Sequence, residues 1–192
     1  MPTATLTALP LLLSIVALPW PGGVESSSLT HLHGHFAWPH FDRAVSEYME
    51  IRRLAPPMDV DCLTADREAI HRARARRAAA IRDVRGEASP GTVFGAEVAP
   101  LIRRRLTRAL GKHPDDFVLL AMLDESSAAT AAIVVNGSLP WGATITVTPS
   151  LLAALPALPE ELEYRLLGRD LILWDSGVDL VVDILADALP AQ

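Results

Sequence analysis

The chain has 192 residues, of which half are apolar and 21% are charged, and its formal net charge is -6. This composition excludes a disordered chain and a strongly cationic nucleic-acid-binding protein. The length is too short for an eight-stranded α/β barrel, which needs about 250 residues, and predicts one compact domain with a tail.

Residues 1–23 predict a leader of the signal-peptide type. The apolar stretch Leu6–Leu18 has the length of a secretory hydrophobic region and is shorter than the roughly 20 residues of a membrane span. Pro19 and Gly22 then interrupt the helix. No Lys or Arg precedes the apolar stretch and no small-x-small cleavage site follows it, so a buried N-terminal helix is the alternative. We expect export to the periplasm or the extracellular space, or membrane anchoring if the leader stays uncleaved.

Residues 24–40 predict a flexible tail that contains His31, His33 and His35. Alternate residues of an extended segment project to the same side, and neutral imidazoles bind Zn or Cu. A tail lacks the shaped cavity and the supporting partners of a catalytic metal site. Two interpretations therefore stay open, namely weak Zn or Cu capture by these histidines and an idle polar linker.

Residues 41–192 predict a single domain whose first part is helical. Apolar residues spaced by three and four predict helices over 41–54, 64–85, 98–110 and 114–123. Thr64 is the expected N-cap of the second helix. Leu101 belongs to the predicted apolar side of the third helix, and Gly111 is expected directly after its end.

From residue 131 onward the pattern alternates, which predicts strands. Strands are expected over 131–135 and 143–147, with a turn at Asn136-Gly137, and Thr148 is expected to cap a short helix that starts at Pro149. Three further strand-length runs cover 163–167, 170–175 and 179–185. Their short connections force antiparallel neighbours. The predicted fold is therefore α+β, with about four N-terminal helices packed on a small antiparallel sheet that ends in a C-terminal three-stranded meander.

The C-terminal part resembles a group of uncharacterised exported bacterial proteins. The resemblance is carried by the signature LP-x-LPEELEYR-x-x-GRDLILWD over residues 155–175, with weaker agreement over 41–190. Members of that group carry a more ordinary leader peptide, so the resemblance implies export and a similar fold. It implies no activity.

No complete catalytic motif is present in the sequence. There is no Gly-x-Ser-x-Gly elbow, phosphate loop or dinucleotide fingerprint, and Cys62, the only cysteine, excludes an internal disulfide and a multi-cysteine metal site. Asp175-Ser176-Gly177 resembles the catalytic loop of aspartic proteases, but it follows Gly168-Arg169 in the reverse of the protease order, so we interpret both segments as hairpin turns. We predict no catalytic and no cofactor-binding residue.

Charge is distributed unevenly along the chain. Residues 43–112 carry 15 basic and 9 acidic side chains, whereas residues 113–192 carry 2 and 12. We expect the arginines of 72–77 and 103–105 to pair with the acidic C-terminal part, and no aromatic residues interleave them to stack on nucleic acid. The aspartates of 170–187 are not spaced as in a calcium-binding loop, and we expect them to be solvated or ion-paired.

The predicted function is that of an exported envelope or extracellular domain that binds a protein or envelope partner without catalysis. No nucleic-acid partner is expected, and membrane contact is expected only through an uncleaved leader. One alternative is a small hydrolase or metal-dependent enzyme, in which His71, His113 or an arginine would meet an aspartate of the meander in a cleft. The other is metal capture by the histidine tract.

Overall fold

The computed structural model describes residues 38–58, 65–113, 116, 118, 119, 121, 133–140, 142 and 144–190. The helices formed by these residues are α1 (Pro39–Leu54), α2 (Arg67–Arg85), α3 (Ala99–Ala109) and α4 (Pro149–Leu152). The strands are β1 (Ile145–Thr146), β2 (Leu162–Leu167), β3 (Asp170–Asp175) and β4 (Leu180–Leu185). This set of elements confirms the predicted α+β class.

The first helix confirms the predicted helix over 41–54 and begins two residues earlier. Pro39 occupies its first turn, where the missing N–H has no intrahelical partner to lose. Phe41, Val45 and Tyr48 are its buried residues, and their spacing of four and three places them on one side of the helix.

The second helix starts later than predicted. Its N-cap is Asp66, whose Oδ1 accepts hydrogen bonds from the backbone N–H groups of Glu68 and Ala69 at 3.0 and 3.1 Å. The expectation that Thr64 caps this helix was therefore wrong. A carboxylate at the N-cap satisfies free N–H groups and also interacts favourably with the positive end of the helix dipole.

The third helix ends as predicted, but Leu101, one residue of its predicted apolar side, is not buried. Gly111 follows its end with a φ of +77°, the left-handed conformation that terminates many helices. Ile102 and Leu106 are buried, whereas Leu101 is 42% exposed. Since successive helical residues are about 100° apart, Leu101 lies well around the helix from Ile102.

Residues 114–147 contain the largest differences from the prediction. The helix expected over 114–123 lies largely outside the described residues, of which Asp116 and Leu119 are helical and buried. The strand predicted over 131–135 was wrong for the described residues 133–135, which form no strand. Asn136 takes a left-handed φ of 66° in the predicted turn, and its N–H donates to the carbonyl of Val181, which lies in β4. The N–H of Val181 donates in turn to the carbonyl of Gly137, so two backbone hydrogen bonds at Val181 join the turn to β4.

The four strands form one antiparallel sheet in the order β1-β2-β3-β4. The predicted three-stranded meander is confirmed as β2-β3-β4, and β1 adds a two-residue edge strand that is shorter than predicted. The pairing of Leu166 with Leu171 sets the tight turn at Gly168-Arg169. A bulge between Leu173 and Trp174 interrupts the pairing of β3 with β4.

One face of the sheet packs under the helices, as predicted. The core cluster joins Phe41 of α1, Ile81 of α2 and Ile102 of α3 to Leu171 and Leu173 of β3. β2 alternates strictly between buried and half-buried residues, so it has one core face. The sheet therefore supports α1–α3 on one of its faces.

Candidate functional site

A groove lies between α1 and the 86–98 segment, which connects α2 to α3. It consists of two adjoining hollows of about 480 and 220 Å³, which share Ala44, Glu47, Thr92 and Val93 as lining residues. We call this feature the α1 groove. Its wider end lies beside His40 and Glu97, and its narrower end lies over Tyr48 and Arg85.

Charged side chains of both signs line the rim of the α1 groove. His40 Nε2 lies 2.7 Å from Glu97 Oε2, and Arg43 contacts His40 Nδ1 at 3.2 Å. Arg43 also lies 4.0 Å from Glu47 one turn along α1. These four side chains are more than half exposed, so each pair contributes little to stability and can exchange its partner for a bound molecule.

A buried aspartate holds the far wall of the groove in place. Asp183 of β4 is fully buried, and its carboxylate accepts hydrogen bonds from the backbone N–H groups of Gly91, Val93 and Phe94 at 2.8, 2.6 and 2.6 Å. Gly91 takes a φ of +92°, a conformation that favours glycine and that turns successive N–H groups toward one point. The 86–98 segment is therefore fixed to the sheet by one ionised side chain.

The floor of the groove rests on a second buried carboxylate. Tyr48 donates a hydrogen bond from its hydroxyl to Asp175 Oδ2 at 2.8 Å, and Arg52 Nε donates to the same oxygen at 2.7 Å. Burial raises the pKa of Tyr48 far above its usual value, and the adjacent Asp175 carboxylate raises it further. Tyr48 is therefore a neutral donor that anchors α1 to β3.

Arg85 connects the floor of the groove to the sheet. Its guanidinium lies 5.6 Å from the centre of the Tyr48 ring and donates to the Val182 carbonyl at 2.7 Å and to Asn136 Oδ1 at 2.9 Å. Burial lowers the pKa of Arg85, and its interactions with Tyr48 and Asp183 act in the opposite direction. Arg85 stays charged, because an arginine pKa remains far above neutral pH.

A third buried carboxylate lies away from the groove. Asp116 accepts hydrogen bonds from the hydroxyls of Ser150 and Thr148 at 2.7 and 3.2 Å and from the backbone N–H of His113 at 3.2 Å. Burial raises the pKa of Asp116, but these hydrogen bonds outweigh it and leave the pKa below its usual value. Thr148 is the N-cap residue of α4 and Pro149 is its first residue, as predicted, but the Thr148 hydroxyl donates to Asp116 and makes no capping hydrogen bond.

The Asp116 cluster contains serine, histidine and aspartate without the arrangement of a catalytic triad. In a triad, a histidine ring stands between the hydroxyl and the carboxylate. Here the Ser150 hydroxyl donates directly to the carboxylate, and His113 contributes its backbone N–H. The cluster ties the start of α4 to the helical segment around residue 116.

The aspartates of the meander are structural acceptors. Asp175 and Asp183 are described above, Asp179 accepts from Trp174 Nε1 at 3.0 Å, and Asp170 accepts from the backbone N–H of Asp187 at 2.9 Å. Asp175-Ser176-Gly177 lies at the end of β3, where the chain turns toward β4. In the described part of the chain, no group of three or more His, Cys, Asp or Glu side chains is placed to hold a metal ion.

The arginines are arranged differently from the prediction. Arg72 pairs with Glu68 within α2, and Arg103 reaches the C-terminal part through the carbonyls of Ala186 and Asp187. The acidic C-terminal part is paired instead with Arg52, Arg165 and Arg169.

The remaining predicted residues do not converge on a site. His31, His33, His35 and Cys62 lie outside the described residues. His71 and His113 are exposed, and neither is among the lining residues of the α1 groove. None of the described helices is long and apolar enough to cross a membrane.

Sequence reasoning missed Asp183 and Tyr48 as the residues that shape the groove. The available signal was Asp183 itself, an acidic residue within the otherwise apolar strand LVVDIL. A buried charge in a strand requires hydrogen-bond donors, which predicts a loop folded onto it.

Comparison with known proteins adds no assignment to this geometry. No family model matches the chain, and neither the curated proteins nor the solved structures contain a significant match.

Proposed function

We propose that this protein is an exported envelope or extracellular domain that binds a protein partner through the α1 groove and performs no catalysis. Export is supported by the leader-like residues 1–23 and by the resemblance of residues 155–175 to a group of exported bacterial proteins. The partner is a polypeptide segment of mixed charge, because the groove rim presents Arg43 and His40 beside Glu47 and Glu97.

The observation that supports a binding function is that the three buried carboxylates are all hydrogen-bonded within the chain. Asp116, Asp175 and Asp183 are fully buried, and each accepts at least three hydrogen bonds from within the chain. A general acid or base needs a titratable group within reach of a bound substrate. These carboxylates instead support the groove and the fold, and the groove itself offers exposed ion pairs that suit recognition.

Rigidity of the groove also supports binding. Its floor and far wall are fixed by charge-assisted hydrogen bonds to β3 and β4, so a partner meets a preformed surface. Preformed surfaces lose less conformational entropy on association.

Site-specific photo-crosslinking in the native cell tests the proposal. A photoreactive amino acid at Thr92, which is exposed and lines the groove, is expected to give a discrete crosslinked protein. The matched control is Ala75, an exposed position on α2 outside the groove lining, where the same adduct should be missing. Charge reversal by Glu47→Arg should abolish the adduct at Thr92. Equal adducts from both positions, or an adduct that is insensitive to this reversal, would contradict the proposal.

A further inference from the structure

The outer side of α3 combines exposed arginines with an exposed aliphatic residue. Leu101, Arg104 and Arg108 recur at intervals of three and four, so they share the side opposite the buried residues Ile102 and Leu106. Leu101 is 42% exposed, and both arginines are exposed. We call these three residues the α3 outer face.

This face is basic without compensating acids. Residues 99–112 contain five basic and no acidic side chains. Arg103 is used by the fold, since it donates to two carbonyls at the end of β4. Arg104 and Arg108 have no hydrogen-bond or ion-pair partner in the part of the chain that the structure describes. On α2, Arg72 is paired with Glu68 on the same helix, whereas Arg74 and Arg76 are exposed as Arg104 and Arg108 are on α3.

The N-terminal segment joins the domain next to this helix. Trp38 is the first described residue, and the Arg105 guanidinium lies 4.9 Å from the centre of its ring. The 19 residues 19–37 separate Trp38 from the apolar stretch Leu6–Leu18. A fully extended chain of that length spans at most about 65 Å. The covalent connection therefore limits the distance between the apolar stretch and Trp38 to about that length.

We propose that the α3 outer face binds the anionic headgroups of a phospholipid bilayer. Arg104 and Arg108 contact the phosphates, and Leu101 enters the interfacial region beside them. The combination of exposed arginines with an exposed aliphatic residue is typical of helices that lie on a membrane surface. A nucleic acid is less suited, since α3 has no aromatic residue on which bases could stack.

The α3 outer face is a second surface beyond the proposed function, and its partner is a bilayer. In a chain that retains the leader, the apolar leader and the basic face are two weak signals that together give the stable attachment that neither gives alone. Each basic residue near an anionic surface strengthens binding about fivefold, which is the factor that corresponds to about 1 kcal/mol. The two free arginines together should therefore contribute about 30-fold.

Vesicle flotation with the purified full chain tests this proposal. The partition coefficient is measured on phosphatidylcholine vesicles with and without phosphatidylglycerol, at low ionic strength. The neutral vesicles report the contribution of the leader, and the ratio of the two coefficients reports the contribution of the basic face. Wild type should prefer the anionic vesicles, and this preference should fall steeply as salt is added.

Charge-neutralising variants locate the binding face. Arg104→Gln with Arg108→Gln should reduce the preference for anionic vesicles by about 30-fold and leave binding to neutral vesicles unchanged. The matched control, Arg72→Gln with Arg76→Gln, removes two exposed arginines of the same spacing from α2 and should leave the preference unchanged. Circular dichroism verifies that both variants remain folded.

Three results would overturn the proposal. They are equal binding of the wild type to both kinds of vesicle, an equal loss in the two variants, and displacement from anionic vesicles by short duplex DNA with the same arginine dependence. None of them bears on export or on the α1 groove, so failure here is distinguishable from failure of the proposed function.

Discussion

Replacing Asp183 by Asn tests how the α1 groove is held together. The change keeps the size of the side chain but removes its charge and one of its two acceptor oxygens. In the native chain, Oδ2 accepts from Val93 and Phe94 at 2.6 Å each, and Oδ1 accepts from Gly91 and Ile184 at 2.8 Å each. The amide NH₂ of Asn must face one of these pairs of N–H groups, so two buried donors lose their acceptor.

The expected loss of stability follows from these two donors. A hydrogen bond to a charged group contributes about 1.5–3 kcal/mol, and an unsatisfied buried donor costs about 1–3 kcal/mol. Asp183→Asn should therefore lower the free energy of unfolding by about 3–5 kcal/mol, a large part of the total for a domain of this size. Urea unfolding measures the change through the midpoint at a constant m-value.

Hydrogen exchange locates the same effect in the structure. The amides of Val93 and Phe94 should lose protection in the variant more than the amides of α1. Asp187→Asn is the matched control, since Asp187 is an exposed aspartate with a left-handed φ of 49° that Asn tolerates, and it should cost less than about 0.5 kcal/mol. A loss below about 1 kcal/mol for Asp183→Asn, or full protection of the 91–94 amides, would refute this reasoning.

Three further predictions concern stability. The folded pKa of Asp116 lies below its unfolded value. The contribution of its carboxylate to the free energy of unfolding is therefore complete above about pH 4 and is lost as pH falls further. Acid unfolding of Asp116→Asn should accordingly depend less on pH than acid unfolding of the wild type. Tyr48 and Tyr164 have raised pKa values, so stability should fall above about pH 10, and absorbance near 295 nm should show no tyrosine ionisation until the chain unfolds. Gly177→Ala should cost about 1–3 kcal/mol of stability, because the added Cβ would lie 2.9 Å from Arg52 Nη2. Thermal unfolding should show that most of this cost disappears in an Arg52→Met background.

The elements that could be predicted from sequence are those with local signals. The meander followed from apolar strand-length runs separated by short turns, and these turns dictate antiparallel neighbours without any long-range information. The end of α3 followed from Gly111 in the same way. The described residues 133–135 of the strand expected over 131–135 form no strand, because a short apolar run does not specify its partner. The neighbouring turn at Asn136-Gly137 bonds to β4 through Val181.

The groove could not be predicted because its determinants are far apart in sequence. The donors to Asp183 from the wall of the groove are backbone N–H groups 89–92 residues away, and the sequence does not show which backbone groups will donate. The hydrogen bond between Tyr48 and Asp175 joins residues 127 positions apart. Asp183 stood out as a charge in an apolar strand, but the pattern names no partner for it.

Export is the most directly testable part of this account. The measurement is subcellular fractionation of the native host combined with N-terminal sequencing of the protein recovered from each fraction. We predict recovery from the periplasm, the envelope or the medium, with an N-terminus near residue 24 or, if the leader is retained, an intact chain in the membrane fraction. An intact chain confined to the soluble cytoplasmic fraction would contradict the account.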